Sequence, residues 1–202
     1  MNLWFRLIWM LLTARFRGPV QLFETSRLWL RVLPKDLDLN GHVNNGRYFT
    51  LADLGRLDFV IRTGAARVAI ANGAIPLIGD AVAKFRKDLK LFQRYELQSR
   101  LIDWDDKWTY MEHRFVRGGR VAGVVIIRGQ FRSSGGPVSP STILAGLGLA
   151  QQTASPSLPD WALAWQRSCE ELGDALRDEE RYRVGVDAAV QIGRLQHGDC
   201  PP

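Results

Sequence analysis

The hydrophobic period of this 202-residue chain changes once, near residue 75, and that change constrains the fold more than any other feature. Before it, Tyr48, Leu51, Ala52, Gly55 and Phe59 recur at helical spacing. After it the period is two. Ile75–Leu89 predicts one long or bent strand, and Arg94–Trp104, Lys107–Arg117 and Arg120–Arg132 predict a meander. Gly118-Gly119 predicts a tight hairpin, because glycine supplies the positive φ of primed turns. Asp105-Asp106 marks the other reversal. Upstream, residues 26–33 predict a strand that stops at Pro34. Asn44 or Asn45 is a good N-cap for the helix, which should end before Gly64. Its small Ala52 and Gly55 allow close approach to a sheet, and Asp58 and Arg62 are expected to pair on its wet side. Residues 64–74 read as a loop or a short irregular helix. One long helix against one antiparallel sheet is an α+β layout.

Beyond the sheet, Ser133–Pro137 reads as its end, 141–150 as a short apolar piece and 153–159 as a Pro/Ser linker. A helix carrying Trp161, Leu163, Trp165, Leu172 and Leu176 is expected from about Pro159 to Arg181, followed by a mobile tail. The expected organisation is an N-terminal apolar and basic helix over 1–23, a central domain over 24–135, and a helical extension and tail over 136–202. No internal repeat is visible.

Charge is unevenly placed. Lys and Arg number 27 against 21 Asp and Glu, a net +6. Residues 1–35 hold six basic groups and only Glu24 as an acid, which gives +5 of that excess. A nucleic-acid binder would spread positive charge along its binding surface, so no nucleic-acid partner is expected. An apolar fraction of 46% excludes a disordered tail. Cys169 and Cys200 cannot form a disulfide scaffold and lack zinc-site spacing. Three scattered histidines predict no metal. His113, between Met111 and Phe115, reads as a partly buried core histidine, and His197 as an inert tail residue. No Gly-x-Ser-x-Gly elbow or glycine-rich phosphate loop occurs, and no cofactor is expected.

Residues 3–12, Leu-Trp-Phe-Arg-Leu-Ile-Trp-Met-Leu-Leu, are too short to span a bilayer, which takes roughly 20 apolar residues. No signal-type cleavage site follows. Two readings fit. The segment lies in a membrane interface, Trp and Arg being suited to it, or it packs on its own domain or a partner subunit. On the first reading, residues 1–17 would be dispensable for chemistry. The expected location is cytoplasmic, peripheral at a membrane on that same reading.

Chemistry concentrates in Asp36-Leu37-Asp38-Leu39-Asn40-Gly41-His42-Val43-Asn44-Asn45-Gly46-Arg47-Tyr48, between a strand and a helix start. A helix N-terminus offers unpaired N–H groups and partial positive charge, a place to hold an oxyanion. A carboxylate beside it can attack or activate water, and Asn or His can orient the partner. Equally, these side chains can simply cap the helix and close an Asx turn. A basic run, Lys84, Arg86, Lys87, Lys90 and Arg94 with Asp88 inside it, is either a solvated face or a set of phosphate contacts.

The Asp-x-Asp-x-Asn-Gly-His-Val-Asn-Asn-Gly-Arg-Tyr run resembles the active-site segment of hotdog-fold thioesterases. It is similar to the 4-hydroxybenzoyl-CoA thioesterase branch and to plant acyl-ACP thioesterases. Trp-Asp-Asp-Lys-Trp at 104–108 resembles the THEM6-type subgroup. The resemblance covers about 24–133 and implies a hotdog, a long helix wrapped by a curved antiparallel sheet. It implies a homodimer or homotetramer hydrolysing acyl-CoA or acyl-ACP. In role, it implies Asp38 as the catalytic carboxylate, Asn40 and His42 as orienting groups, and the N–H near Asn45 as the group that polarises the carbonyl. Asp36 would brace the turn. Tyr48, Lys84 and Arg86 would contact substrate, whose acyl chain would run between helix and sheet. The plant enzymes' further downstream acid has no assigned position here, with Glu96 and Glu112 both available. A non-catalytic acyl-binding or membrane-associated scaffold on the same fold is the alternative, since fold alone does not fix function.

Overall fold

A computed structural model describes residues 2–149 and 157–197, which divide into two compact units after Ser157. The first unit contains α1 (Asn2–Ala14), β1 (Ser26–Arg31), a 3-10 turn (Pro34–Asp36), α2 (Asn45–Arg62), α3 (Ala65–Ala71), β2 (Ile75–Phe85), β3 (Arg94–Trp104), β4 (Thr109–Arg117), β5 (Arg120–Ser133), β6 (Gly136–Val138) and α4 (Pro140–Gly146). The strands form one antiparallel sheet in the order β1-β3-β4-β5-β2, with β6 added to the end of β5.

Asn44 caps α2, its side chain accepting from the Gly46 N–H at 2.9 Å. The helix ends at Arg62, and Gly64 follows with φ +84°. Tyr48, Leu51, Ala52, Gly55 and Phe59 are all buried. The missing Cβ of Gly55 is what permits contact with the sheet, since a methyl there would meet the Ser99 hydroxyl and come within 2.9 Å of Leu97 Cδ2. Nearer the helix start, Tyr48 covers Gly123 and its ring packs on Phe115 (4.7 Å between centroids) and Phe85 (5.0 Å). This is the hotdog arrangement, a curved antiparallel sheet around one long helix.

Helix α1 is built into this body. Leu3, Arg6, Leu7, Met10 and Ala14 form its inward stripe. Arg6 donates to Asp36 (2.5 and 3.2 Å) and to the Arg31 carbonyl (2.8 Å). At the other end, Arg17 pairs with Asp58 at 2.7 Å, while Arg62 donates to the Gly18 and Arg17 carbonyls. Thus α1 lies alongside α2, pinned at both ends. Of the two readings of residues 1–17, the structure shows the helix packed on its own domain, where two fully buried carboxylates depend on Arg6 and Arg17. One expectation needs correction: Asp58 is not on a wet face, since Ser26, Arg17 and Arg62 enclose it.

Elsewhere the differences are local. The short β6 follows Ser133, where the sheet was expected to end, because Gly136 with φ +119° folds it back onto β5. The apolar piece at 141–150 is helix α4, capped by Ser139. In the second unit, α5 runs Asp160–His197, well past Arg181. Residues 150–156, most of the expected linker, and Cys200 lie outside the described residues.

Candidate active site

The loop from Leu33 to Asn44 turns back on itself. The Asp38 N–H donates to the His42 carbonyl and the Gly41 N–H to the Asp38 carbonyl, with Gly41 at φ +75°. Leu37 bridges to Val43, and the Val43 N–H donates to the Leu89 carbonyl, so the loop is sewn to the segment after β2.

The two acids of Asp36-Leu37-Asp38 end in different environments. Asp36 is fully buried. It accepts from Arg6, from the Leu33 N–H at 2.9 Å and from Arg47 at 3.0 and 3.3 Å. Burial alone would raise its pKa, but the hydrogen bonds from Arg6, the Leu33 N–H and Arg47, with the Arg6 cation, outweigh it, and the carboxyl is held below the ordinary value. Asp38 is only partly covered. Its Oδ1 accepts from the Asn40 backbone N–H at 2.9 Å, and its Oδ2 lies 3.2 Å from His42 Nδ1. In a neutral imidazole that turns Nδ1–H to the carboxylate, Nε2 is the acceptor nitrogen.

A pocket of about 220 Å³ opens beside this pair, lined by His42, Val43, Asn45, Tyr48, Phe85, Arg86, Lys87 and Asp88. The structure therefore brings His42, Asn45, Tyr48 and Arg86 together. Asp38 stands behind His42 instead of lining the pocket. The Asn40 side chain is exposed, and the residue reaches Asp38 through its backbone. Lys84 is exposed on β2 and points away from the pocket, because the neighbouring Phe85 takes the inner face beside Tyr48. In the sequence Lys87 reads only as part of the basic run and Asp88 only as the acid inside it, so neither is assigned to the site there. The signal was one of chain direction: β2 ends at Phe85, and the next three residues turn over the α2 N-terminus. Glu96 and Glu112 do not reach the site. Glu96 pairs with Arg27, and Glu112 with Arg100 and Arg114.

At the other half of α2 a second, apolar cavity of about 60 Å³ is lined by Phe59, Val60, Met111, Ile127, Phe131 and Ile143 among others. The helix is packed hard on the sheet between the two spaces, through Tyr48 and Gly55. His113 is fully buried under α2 with Nδ1 2.8 Å from the Ser99 hydroxyl, and burial, reinforced by the Arg56 cation, pushes its pKa down to about 3. It is a neutral core residue. No group of acids, histidines or cysteines among the described residues could hold a metal ion.

The profile of the thioesterase-like superfamily matches residues 32–166, which include the loop, the helix and the whole sheet from β2 onward. The chain belongs to this superfamily. It is 29% identical to the Protein THEM6 of Danio rerio over 183 residues, 88% of each chain. It is also 29% identical to that of Xenopus laevis over 150 residues, 73% of this chain and 70% of that one. The fold is shared with a probable thioesterase of Escherichia coli, YbaW (TM-score 0.56, 16% identity, 61% of this chain and 96% of that one). It is shared as well with the gentisyl-coenzyme A thioesterase BH1999 (TM-score 0.52, 21% identity, 61% and 99%).

Proposed function

We propose that the pocket hydrolyses an acyl thioester, with an acyl-CoA as the preferred substrate and acyl-ACP as the second choice. The observation that carries this reading is the juxtaposition of the Asp38–His42 pair with the N-terminus of α2. Asp38 fixes the imidazole. Nε2 of His42 takes a proton from water as the water oxygen attacks the thioester carbonyl carbon. The N–H of Asn45, left free by a cap that uses Gly46, donates to the oxyanion, helped by the helix dipole. When the tetrahedral intermediate collapses, the carbon–sulfur bond breaks and the thiolate recovers the proton from His42. The products are a carboxylic acid and a free thiol. Asp88 is the second carboxylate in reach and the first alternative base. Arg86 and Lys87 at the pocket are suited to CoA phosphates. The tight Tyr48–Phe85–Phe115 floor favours a compact acyl group over a long chain.

The long edge strand β2 supports a homodimer. Ile75, Leu77, Ile78, Val82 and Phe85 are exposed along it, and an apolar unpaired edge is a pairing surface. It leads directly into Arg86–Asp88, so a second copy there would stand beside the pocket.

Thiol release from a panel of short, aromatic and long acyl-CoAs, read with a chromogenic thiol reagent, tests the reaction. Turnover of the compact members that is lost in His42→Ala is the expected result. Binding without thiol release from any member would overturn catalysis in favour of an acyl-binding scaffold. Light scattering tests the dimer, and a strictly monomeric active protein would sink it.

A further inference from the structure

The inward stripe of α1 leaves its other face uncovered. Trp4, Phe5, Ile8, Trp9, Leu11 and Leu12, with Phe16 just beyond the helix, are 46–75% exposed. Six large apolar side chains on one short helix, with Phe16 next to them, exceed what a soluble surface ordinarily carries in one place. The face cannot turn inward, because Arg6–Asp36 and Arg17–Asp58 pin the helix at both ends. The thirteen residues of α1 span about 20 Å, short of a hydrocarbon core of about 30 Å. No described helix is long and apolar enough to cross a membrane.

We propose that this face lies flat in the headgroup layer of an anionic lipid bilayer. Charge selects the occupant. Arg15 is exposed and stacks on Phe16 at 4.6 Å, at one end of the strip. Arg31 and Lys35 are exposed at the other end, where Arg6 meets the Arg31 carbonyl and Asp36. The strip is therefore apolar with cations at both ends, and its tryptophans suit the interface. A second copy docked face to face would set the same cations against each other. The proposal is independent of the thioesterase reading. It implies that the loop holding Asp36 and Asp38 keeps a fixed orientation to the bilayer, since Arg6 joins that loop to α1.

The test uses the full chain and vesicles of phosphatidylcholine with and without phosphatidylserine. Wild type should sediment with the phosphatidylserine vesicles, less so at high salt. The variant Trp4→Ser/Ile8→Ser/Trp9→Ser changes only exposed side chains and should keep the wild-type melting temperature. It should bind those vesicles at least about tenfold more weakly, since each lost side chain removes apolar burial in the interface. The proposal is overturned if wild type ignores both vesicle types, or if it binds phosphatidylcholine equally well and without salt dependence. It is also overturned if the variant binds undiminished, or if light scattering shows the variant dissolving a dimer.

Discussion

Arg6→Ala isolates the contribution of α1 to the loop that carries the site. Wild-type Arg6 places two N–H groups on Asp36 and one on the Arg31 carbonyl. The substitution leaves a fully buried carboxylate. Removing one partner of a buried ion pair typically costs about 3–5 kcal/mol. Arg47 still faces Oδ1 and the Leu33 N–H still donates, so the expected loss is at the lower end, about 3 kcal/mol. For a chain of this size that lowers Tm by roughly 6–12 °C. The loss should also depend on pH. In the folded wild type the Asp36 pKa is depressed, so its stabilisation is present above the unfolded value of 3.8 and is lost as pH falls through the lower folded pKa. Removing Arg6 raises the folded pKa. The wild-type and variant stabilities should therefore differ most at neutral pH and converge in acid. Urea unfolding followed by tryptophan fluorescence, at neutral pH and near pH 3, reads both quantities. A loss under about 0.5 kcal/mol, or a loss equal at both pH values, would refute the claim that α1 is structurally tied to the loop.

Asp38→Asn and His42→Ala should each lower thioester turnover by about 10²–10⁴-fold at unchanged Tm, whereas Asp36→Asn should cost stability first; steady-state thiol release and thermal melts separate the two. Asp88→Asn, if Asp88 is an auxiliary carboxylate, should retain more turnover than Asp38→Asn, and the opposite order in the same assay would make Asp88 the base. Tyr48→Ala should shift acyl preference toward longer chains, read as the ratio of kcat/KM for long and short acyl-CoAs. Gly55→Ala should destabilise by about 1–3 kcal/mol through collision with Leu97 and Ser99, measured by urea denaturation. His113 has a folded pKa of about 3 against an ordinary 6.5, so the unfolded state binds the extra proton and stability falls as pH drops from 6.5 toward 3. In His113→Gln that part of the acid limb of stability against pH should flatten.

The parts of the fold set by local pattern were legible. The β3 boundaries, the Asn44 cap and the Gly64 stop follow from alternation and turn chemistry, and the match of α2 to the sheet follows from Gly55 and Ala52. The placement of α1 was not legible, because its buried stripe is interrupted by a charge, Arg6, while its outer face is just as apolar. Periodicity cannot find the inside of such a helix. Asp58 was misplaced for the same reason: its cover comes from Arg17, forty-one positions earlier in the numbering and brought near only by α1. In the site, the neighbourhood of His42, Asn45 and Tyr48 is local along the chain. Asp88 enters it through a reversal after β2 that no residue type announces.

The alternation of Asp36 and Asp38 would put both carboxylates on one side of an extended strand. Two conformational facts separate them. The 3-10 turn closes on Asp36, so its carboxylate folds back onto the Leu33 N–H and under the two arginines. Past the extended Leu37, the chain reverses at Asn40-Gly41 and brings His42 back to Asp38. Asp36 is left with its charge spent on Arg6 and Arg47, and it supplies rigidity to the start of α2 through the same Arg47. Asp38 has one oxygen on a backbone N–H and the other on an imidazole that faces the pocket. On the proposed mechanism, a carboxylate so placed would act through the ring, by fixing its tautomer and stabilising the imidazolium formed when water is deprotonated. The division of labour between two like residues thus depends on a turn and a glycine, and the turn is anchored by an arginine thirty positions upstream.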